Sequence, residues 1–226
     1  MNFNKHLELR GLHAVFSPSQ SSWLRYNKEK IADKLLTLDA TAIGTELHAF
    51  AETQIQLRVR YRSLQDMNHS LMTYIYQKYK DEKKNELTDF GKRMLSSIGR
   101  LSKETLSTVQ KHINDAVGYR MEPEQPLYYT DYIFGTADAI SYRDGVLRIH
   151  DLKTGKSPVH MEQLVTYAAL FFLEYHLFPE KTETHLRIYQ NDDVVEYDPP
   201  PEEIRHVMDA INYVKEMSSN ILSNTF

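Results

Sequence analysis

The chain has 226 residues, of which 41% are apolar and 26% are charged, and this balance predicts a soluble globular protein with a sizeable core. It contains no cysteine, which excludes disulfides, cysteine-based zinc sites, iron–sulfur clusters and thiol catalysis. No apolar stretch reaches the ~20 residues of a membrane-spanning helix, and the first residues lack the apolar core of a signal peptide, so we expect an intracellular protein.

The formal net charge of −4 is unevenly distributed along the chain. Residues 51–120 carry 13 lysines and arginines against 8 aspartates and glutamates, whereas residues 121–226 carry 8 against 18. Such a division is compatible with a polyanion-binding surface beside a cation-binding site. An ordinary, uneven protein surface is the alternative interpretation.

Residues 41–118 are predicted to form a succession of helices. Apolar side chains recur there with a helical period, and Ser, Thr or Asp residues stand where N-caps are expected. The predicted helices begin at Thr41, capped by Asp39 or Thr41, and then cover 68–84, 89–99 after Thr88 and 103–117 after Ser102.

The pattern changes to strands after residue 120. Two prolines and two carboxylates in residues 121–126 indicate a connector, and aromatic and β-branched residues follow it. We expect an α/β (α+β) fold in one domain, residues 1–226, with a small mixed sheet flanked by helices and preceded by a helical arm. The arm covers about 41–118, the sheet core about 121–200 and a closing helix about 202–218, with strands at 127–134, 136–142, 146–153, 186–189 and 194–197 and a helix at 159–176.

One hairpin of this sheet has a predictable register. Asp144-Gly145 is a favoured two-residue turn because both positions tolerate positive φ. Counting outward from this turn along both strands places Asp138 opposite Asp151. Lys153 lies two residues beyond Asp151 and therefore points to the same face of the sheet.

Two directly opposed carboxylates repel each other, so a positive charge is expected near them. Lys153 is one candidate for this charge, as an ion pair on a solvent-facing ladder. A divalent cation is the other, because oxygen ligands of this kind suit Mg²⁺ or Mn²⁺. The hairpin alone leaves both interpretations open.

Four short motifs surround this hairpin in a recognisable order. They are Gly44-x-x-x-His48 in the first predicted helix, Gly135-x-x-Asp138 and Asp151-x-Lys153 on neighbouring strands, and Gln163-x-x-x-Tyr167 on the next helix. With these motifs and the opening segment 17–23, the chain resembles the PD-(D/E)XK nuclease superfamily. Within it, the chain is most similar to the RecB-type branch, which includes phage and CRISPR-associated exonucleases.

The resemblance implies a restriction-endonuclease-like core and a metal-dependent DNA exonuclease acting in recombination, replication or repair, in the cytoplasm of a bacterium or a phage-infected host. Asp138, Asp151 and the Leu152 carbonyl would hold one or two Mg²⁺ or Mn²⁺ ions, with His48 as a neutral imidazole ligand. An endonuclease with the same site and a catalytically silent nucleic-acid-binding protein of the same fold are the alternatives.

The remaining motif residues would serve the reaction rather than bind the metal. Lys153 would orient the attacking water or neutralise charge that develops on the phosphate. Gln163 and Tyr167 share one helix face and, by the resemblance, would arrange the site and the DNA. No Walker-type phosphate-binding motif occurs, so we expect neither ATP nor an iron–sulfur cluster as a cofactor.

Several neighbouring residues are left open by the sequence. Glu52, one turn after His48, is a second metal ligand, a residue that contacts and supports a ligand, or a member of a surface i,i+4 pair. Glu122 or Glu124 lies where relatives in this superfamily often carry an acidic residue, but a connector gives no register for either. Lys156 is a phosphate contact or a solvated loop lysine. His150 precedes Asp151 on the opposite strand face and is not expected to be a ligand.

The basic segment 58–111 is the predicted DNA-binding surface. Binding through phosphates implies low sequence specificity, and a homo-oligomer or a separate recombination or helicase partner is compatible with the resemblance. We expect most tyrosines of this segment to pack in the core, with some available to stack on bases. The cations are Arg58, Arg60, Arg62, Lys78, Lys80, Lys83, Lys84, Lys92, Arg93, Arg100, Lys103 and Lys111, interleaved with Tyr61, Tyr74, Tyr76 and Tyr79.

Overall fold

The computed structural model describes residues 18–155 and 158–223. The chain divides into two compact units, Met1–Thr45 and Glu46–Phe226. In the first unit, the described residues form a 3₁₀ helix, Pro18–Arg25, and the beginning of helix α1, Lys28–Gln56. Residue 17 of the opening segment lies outside the described residues. None of the helices in the described part of the chain has both the length and the apolarity needed to cross a bilayer.

Helix α1 begins at Lys28, well before the predicted start at Thr41. The side chain of Asn27 accepts a hydrogen bond from the Lys30 N–H at 2.9 Å and caps the helix. Asp39 and Thr41 lie inside the helix, so their prediction as N-caps was wrong. Residues 28–40 are exposed on every side, although Ile31, Leu35 and Leu38 recur there at the spacing of an apolar helix stripe.

Helix α2, Leu64–Tyr79, starts and ends about four residues earlier than the predicted 68–84. The Ser63 hydroxyl accepts a hydrogen bond from the Asp66 N–H at 3.1 Å and fixes the first turn. After Tyr79 the chain forms a small hairpin that the sequence analysis did not predict, made of β1, Lys80–Asp81, and β2, Glu86–Leu87.

The two predicted N-caps in the following helices are confirmed. The Thr88 hydroxyl accepts from the Gly91 N–H, and the Ser102 hydroxyl accepts from the Thr105 N–H. Each cap satisfies a backbone donor that the helix itself leaves unpaired. The helices are α3, Asp89–Ile98, and α4, Lys103–Gly118.

The second unit contains a five-stranded mixed sheet, as predicted. The strand order is β3-β4-β5-β6-β7, with β5 and β6 parallel and the other neighbours antiparallel. A helix, α5, connects the two parallel strands, as a parallel crossover requires. The elements are β3, Glu122–Thr130; β4, Ile133–Arg143; β5, Val146–Leu152; α5, Glu162–Glu174; β6, Glu183–Gln190; β7, Asp193–Tyr197; and α6, Pro201–Ser223.

The predicted connector at residues 121–126 is wrong, because β3 already begins at Glu122. This strand lies at the edge of the sheet, where Pro123 and Pro126 are tolerated because an edge strand needs only half of its N–H groups for pairing. The predicted strand 127–134 also runs through a turn, since β3 ends at Thr130 and β4 begins at Ile133.

Helices cover both faces of the sheet. Ile188 of β6 packs in the core with α5 and α6, whereas the adjacent Tyr189 contacts His112 of α4. Because successive strand residues point to opposite faces, α4 and α5 lie on opposite sides of the sheet. The predicted mixed α/β architecture is therefore confirmed. The core between sheet, α5 and α6 includes Leu147, Ile149, Leu186, Leu164, Ala168, Phe172, Ile204 and Met208.

Candidate metal centre

The β4–β5 hairpin brings the two predicted aspartates together. Asp144 and Gly145 form the turn, with φ values of 52° and 77°. The ladder runs outward to the pair Ala139–His150 in the predicted register, and Asp138 and Asp151 are the next residues on each strand. The two-residue turn thus determines the part of the site that the hairpin supplies.

Asp138 lies at the meeting point of three elements. Its Oδ2 accepts a hydrogen bond of 2.7 Å from the Leu152 N–H and is 3.5 Å from Nδ1 of His48. Burial alone raises the pKa of Asp138, but the hydrogen bond and charge of His48, helped by the Leu152 N–H, outweigh it and lower the pKa below its usual value. Asp138 is therefore an ionised carboxylate at neutral pH.

His48 is placed beside this carboxylate by the C-terminal half of α1. Burial lowers the pKa of His48, but the hydrogen bond to Asp138 and the charges of Asp138, Glu124 and Asp151 outweigh it and raise the pKa. One ligand atom each from His48, Glu124 and Asp138 lies within 4.8 Å of the other two. Nitrogen and oxygen atoms at such spacing are able to share one cation after small adjustments of rotamers.

Glu124 is a candidate metal ligand that the sequence left open. The β3–β4 register pairs Pro123 with Ala139 and Gln125 with Ala137, so Glu124 lies across from Asp138. Its φ of 45° is in the left-handed region, where the backbone of any residue other than glycine is strained. Counting outward from the short turn between Thr130 and Ile133 would not have identified it, because the register shifts by one residue between Tyr128 and Thr130.

Glu122 does not belong to the site. Its Oε1 accepts a hydrogen bond of 2.7 Å from the Arg58 guanidinium on the surface. The two alternatives for the acidic residue before β4 are therefore distinguished by the structure, with Glu124 at the candidate centre and Glu122 in a surface ion pair.

Asp151 begins a chain of polar contacts that ends on α5. Lys153 Nζ donates to Asp151 Oδ1 at 3.0 Å and to Gln163 Oε1 at 3.0 Å, and Gln163 Nε2 donates to the Tyr167 hydroxyl at 3.3 Å. The four residues were predicted separately, from strand period and helix period, and the structure places them in one contiguous network.

Asp151 is more buried than expected for a solvent-facing ladder. Its side chain is 5% exposed, and Oδ2 has an ion-pair distance of 3.0 Å to Lys153 Nζ but receives no hydrogen bond from the described residues. Burial and the charge of Asp138 raise the pKa of Asp151 in spite of Lys153. Of the two alternatives left open by the hairpin, the solvent-facing ladder is therefore not observed, although its Asp151–Lys153 ion pair is.

Gly135 is required by the position of Tyr167. A Cβ atom added at Gly135 would lie 2.8 Å from Cε1 of the Tyr167 ring, which is too close for two carbon atoms. The glycine of the strand motif therefore lets the ring pack against the β4 backbone and holds the hydroxyl beside Gln163.

The remaining candidates take different positions. Glu52 accepts a hydrogen bond from Gln56 at 3.1 Å, and its charge contributes to the raised pKa of Glu124. His150 lies on the opposite face of β5, buried against Tyr189, as predicted. Lys156 lies outside the described residues.

The donor set fits a hard divalent cation. The carboxylates of Glu124 and Asp138 lie beside the His48 imidazole, and the charge of Asp151 also acts on it. Burial together with the charge of Asp138 raises the pKa of both Glu124 and Asp151. The Oδ2 atom of Asp151 is left without a hydrogen-bond donor among the described residues. A divalent cation would satisfy this oxygen and relieve the repulsion, and such a ligand set suits Mg²⁺ or Mn²⁺.

The basic segment is partly neutralised within the molecule. Arg58, Lys78, Lys92 and Lys111 each have a carboxylate partner. Tyr61 is 7% exposed, which agrees with the expected core packing. The Tyr79 hydroxyl donates a hydrogen bond to Glu46 at 2.6 Å. The Tyr76 side chain, in contrast, is 38% exposed. The cations that keep an exposed position and have no carboxylate partner among residues 18–155 and 158–223 are Arg60, Arg62, Lys83, Lys84, Arg93, Arg100 and Lys103.

No curated protein matches the chain significantly. No solved structure does so either. A family model described as "Protein of unknown function (DUF2800)" matches residues 13–218, which include every residue of the candidate centre. The chain therefore belongs to the DUF2800 family.

Proposed function

We propose that this protein is a metal-dependent DNA nuclease of the PD-(D/E)XK type, acting as an exonuclease in recombination, replication or repair. The observation that supports this most is the convergence of four separate segments on one point. Ligand atoms of His48 of α1, Glu124 of β3 and Asp138 of β4 lie within 4.8 Å of one another. The ion pair between Asp151, near the end of β5, and Lys153, just after β5, lies next to them, because the intervening Leu152 N–H donates to Asp138. Buried carboxylates in such a group cost stability unless they serve a cation.

His48, Glu124, Asp138 and Asp151 are the residues that would hold Mg²⁺ or Mn²⁺, with the Leu152 carbonyl as a further ligand. When bound, the cation would polarise a phosphodiester and lower the pKa of a water molecule. The Leu152 N–H keeps Asp138 oriented through its 2.7 Å hydrogen bond, so the carboxylate is positioned before any ligand arrives.

Lys153 would act on the phosphate or on the attacking water. Its ammonium group has three donors, and two of them are already directed to Asp151 and Gln163. The third is free to donate to a phosphate oxygen, where charge develops in the transition state. Tyr167 holds Gln163, and Gln163 in turn holds the ammonium group, so both are positioning residues.

The test is a cleavage assay on three forms of DNA. End-labelled linear duplex, single-stranded DNA and closed circular DNA are incubated with Mn²⁺, Mg²⁺ or EDTA, using wild-type protein, Asp151→Asn and the exposed control Asp209→Asn. We expect loss of the linear forms only, dependent on metal, and reduced at least about 100-fold in Asp151→Asn but not in Asp209→Asn.

Other results would change or end the proposal. Cutting of the circle would identify an endonuclease with the same centre. Binding of DNA without cleavage in any metal would instead identify a silent nucleic-acid-binding protein. Equal cleavage by wild type and Asp151→Asn would show that the assigned centre is not responsible.

A further inference from the structure

An exposed aromatic pair lies on the same two strands as the candidate metal centre. Tyr128 of β3 and Phe134 of β4 are direct cross-strand partners, and their side chains are 49% and 65% exposed. Directly opposed residues point to one face with Cβ atoms about 4.5–5.5 Å apart. The two rings therefore share one exposed face of the sheet, close to the hairpin tip where Tyr132 is 70% exposed.

The register connects this pair to the centre. Alternate residues of β4 are Phe134, Thr136 and Asp138, and the first two are exposed, whereas Gly135 and Ala137 between them face α5 or the core. Phe134 and Asp138 thus share one face of the strand. Four residues of strand separate them by about 13 Å, which corresponds to about four nucleotides at the ~3.4 Å rise of a stacked strand.

The edge of β3 is unsuited to pairing with another protein strand. Pro123 and Pro126 have no N–H group, and the Tyr128 N–H already donates to the Glu174 carboxylate at 2.9 Å. Addition of a strand from a partner requires a row of free backbone donors and acceptors. The ring faces, rather than the backbone, are the part of this edge that remains available to a ligand.

We infer that the Tyr128–Phe134 pair is a stacking platform for bases of the DNA strand whose phosphate lies at the candidate centre. This inference rests on the proposed function. Every base has an apolar face, so aromatic side chains bind single strands without reading their sequence. The platform holds the strand a few nucleotides from the reacting phosphate and so fixes which phosphate reaches Asp138 and Asp151.

The test compares the affinity of wild type, Tyr128→Leu and Phe134→Leu for a short fluorescein-labelled single-stranded oligonucleotide, measured by anisotropy in Ca²⁺. Leucine keeps the apolar bulk and removes the ring face. Loss of one stacked base weakens binding roughly 5- to 150-fold, equivalent to about 1–3 kcal/mol. The matched control is Tyr142→Leu. Tyr142 lies four residues after Asp138 in β4, whereas Phe134 lies four residues before it, and Tyr142 is 41% exposed.

A second measurement locates the contact. Oligonucleotides that carry 2-aminopurine at successive positions are bound in Ca²⁺, and we expect quenching at positions near the platform that is lost in Phe134→Leu. Cleavage of linear DNA in Mn²⁺ is recorded for all variants in parallel, with weaker cleavage expected at low DNA concentration only.

The outcomes separate the two proposals. If wild type cleaves DNA and both platform variants bind like Tyr142→Leu, the platform is overturned and the nuclease stands. If wild type binds but never cleaves, and the platform variants lose affinity, the nuclease is overturned and the platform stands. A change in oligomeric state without a change in DNA affinity would overturn the platform and identify a protein interface instead.

Discussion

Lys153 Nζ lies 3.0 Å from both carboxylate oxygens of Asp151, and the two side chains differ in burial, at 34% and 5% exposed. No other cation forms an ion pair with Asp151 among the residues that the structure describes. The buried carboxylate therefore depends on Lys153 whenever no metal is bound.

Replacing Lys153 by methionine is expected to lower the unfolding free energy in EDTA by about 1–3 kcal/mol, because it leaves a buried carboxylate unpaired. The double variant Asp151→Asn, Lys153→Met should be more stable than Lys153→Met alone. Urea denaturation of wild type, both single variants and the double variant measures this coupling. Additive effects of the two substitutions would show that the pair is not coupled.

The Glu124 carboxylate is expected to destabilise the metal-free protein. Its pKa is raised by burial and by the charge of Asp138, so its ionised form is less favourable in the folded than in the unfolded state. Glu124→Gln should raise the melting temperature in EDTA by about 2–4 °C, corresponding to about 1 kcal/mol, and abolish the gain that Mn²⁺ gives wild type. Glu122→Gln is the control, since it removes a carboxylate from the same strand but from a surface ion pair. A lower melting temperature for Glu124→Gln would contradict the assigned repulsion.

Gly135→Ala should displace the Tyr167 ring. The added Cβ would lie 2.8 Å from Cε1, so the ring must move and the hydrogen bond between Tyr167 and Gln163 lengthens. We expect a loss of about 1–3 kcal/mol in unfolding free energy and a fall in cleavage rate. Gly155→Ala is the matched control, because a Cβ there meets no atom within 4 Å. Partial recovery in Gly135→Ala, Tyr167→Ala would identify the ring as the cause, whereas an unperturbed single variant would refute the contact.

Mn²⁺ affinity should increase with pH. A metal ligand must be the neutral imidazole, and the pKa of His48 is raised above 6.5 by Asp138 and its neighbours. Below that pKa, affinity is expected to change about tenfold per pH unit, and binding should release one proton. Calorimetric titration of Mn²⁺ at several pH values, in buffers of different ionisation enthalpy, measures both quantities. His48→Gln should remove the pH step and exposed His69→Gln should retain it; a step that persists in His48→Gln would exclude His48 as a ligand.

The protein should lose stability in mild acid through two buried histidines on the α4 side of the sheet. Burial lowers the pKa of His112 to about 4 and that of His150 well below 6.5. The folded state therefore binds fewer protons than the unfolded state, and its stability falls as pH drops below 6.5 toward 4, by at most about 1.4 kcal/mol per pH unit for each histidine. His48 has the opposite sign and acts above pH 6.5.

Substitution of His112 by phenylalanine tests this pH dependence. Nδ1 of His112 has no hydrogen-bond partner among the described residues, so the substitution breaks no hydrogen bond at this atom. The slope of unfolding free energy against pH, from urea denaturation between pH 5 and 6.5, should decrease by about 1 kcal/mol per unit. An unchanged slope would mean that His112 does not titrate on unfolding in this range.

Short-range rules predicted much of the candidate centre. The Asp144-Gly145 turn set the β4–β5 register and so the meeting of Asp138 and Asp151, and helix period placed Gln163 beside Tyr167. These rules succeed because turn sterics and side-chain period act over a few residues. The presence of His48 beside Asp138 was expected from a family resemblance rather than from any spacing.

Other features depended on residues far apart in the chain. The choice of Glu124 over Glu122 follows from the pairing of β3 with β4, which two prolines concealed in the sequence. The early start of α1, in contrast, was marked locally by the helical spacing of Ile31, Leu35 and Leu38, which the prediction did not use. The burial of Asp151 depends on the packing of α5.

By itself, the sequence determined the turn, the strand and helix periods, the two confirmed N-caps and thereby the local geometry of each motif. The tertiary structure alone decided which carboxylates meet, how deeply they are buried and how their pKa values shift. The physical reason is that local steric preferences of the backbone depend on only a few neighbouring residues. Burial and electrostatic coupling depend on segments that only folding brings together.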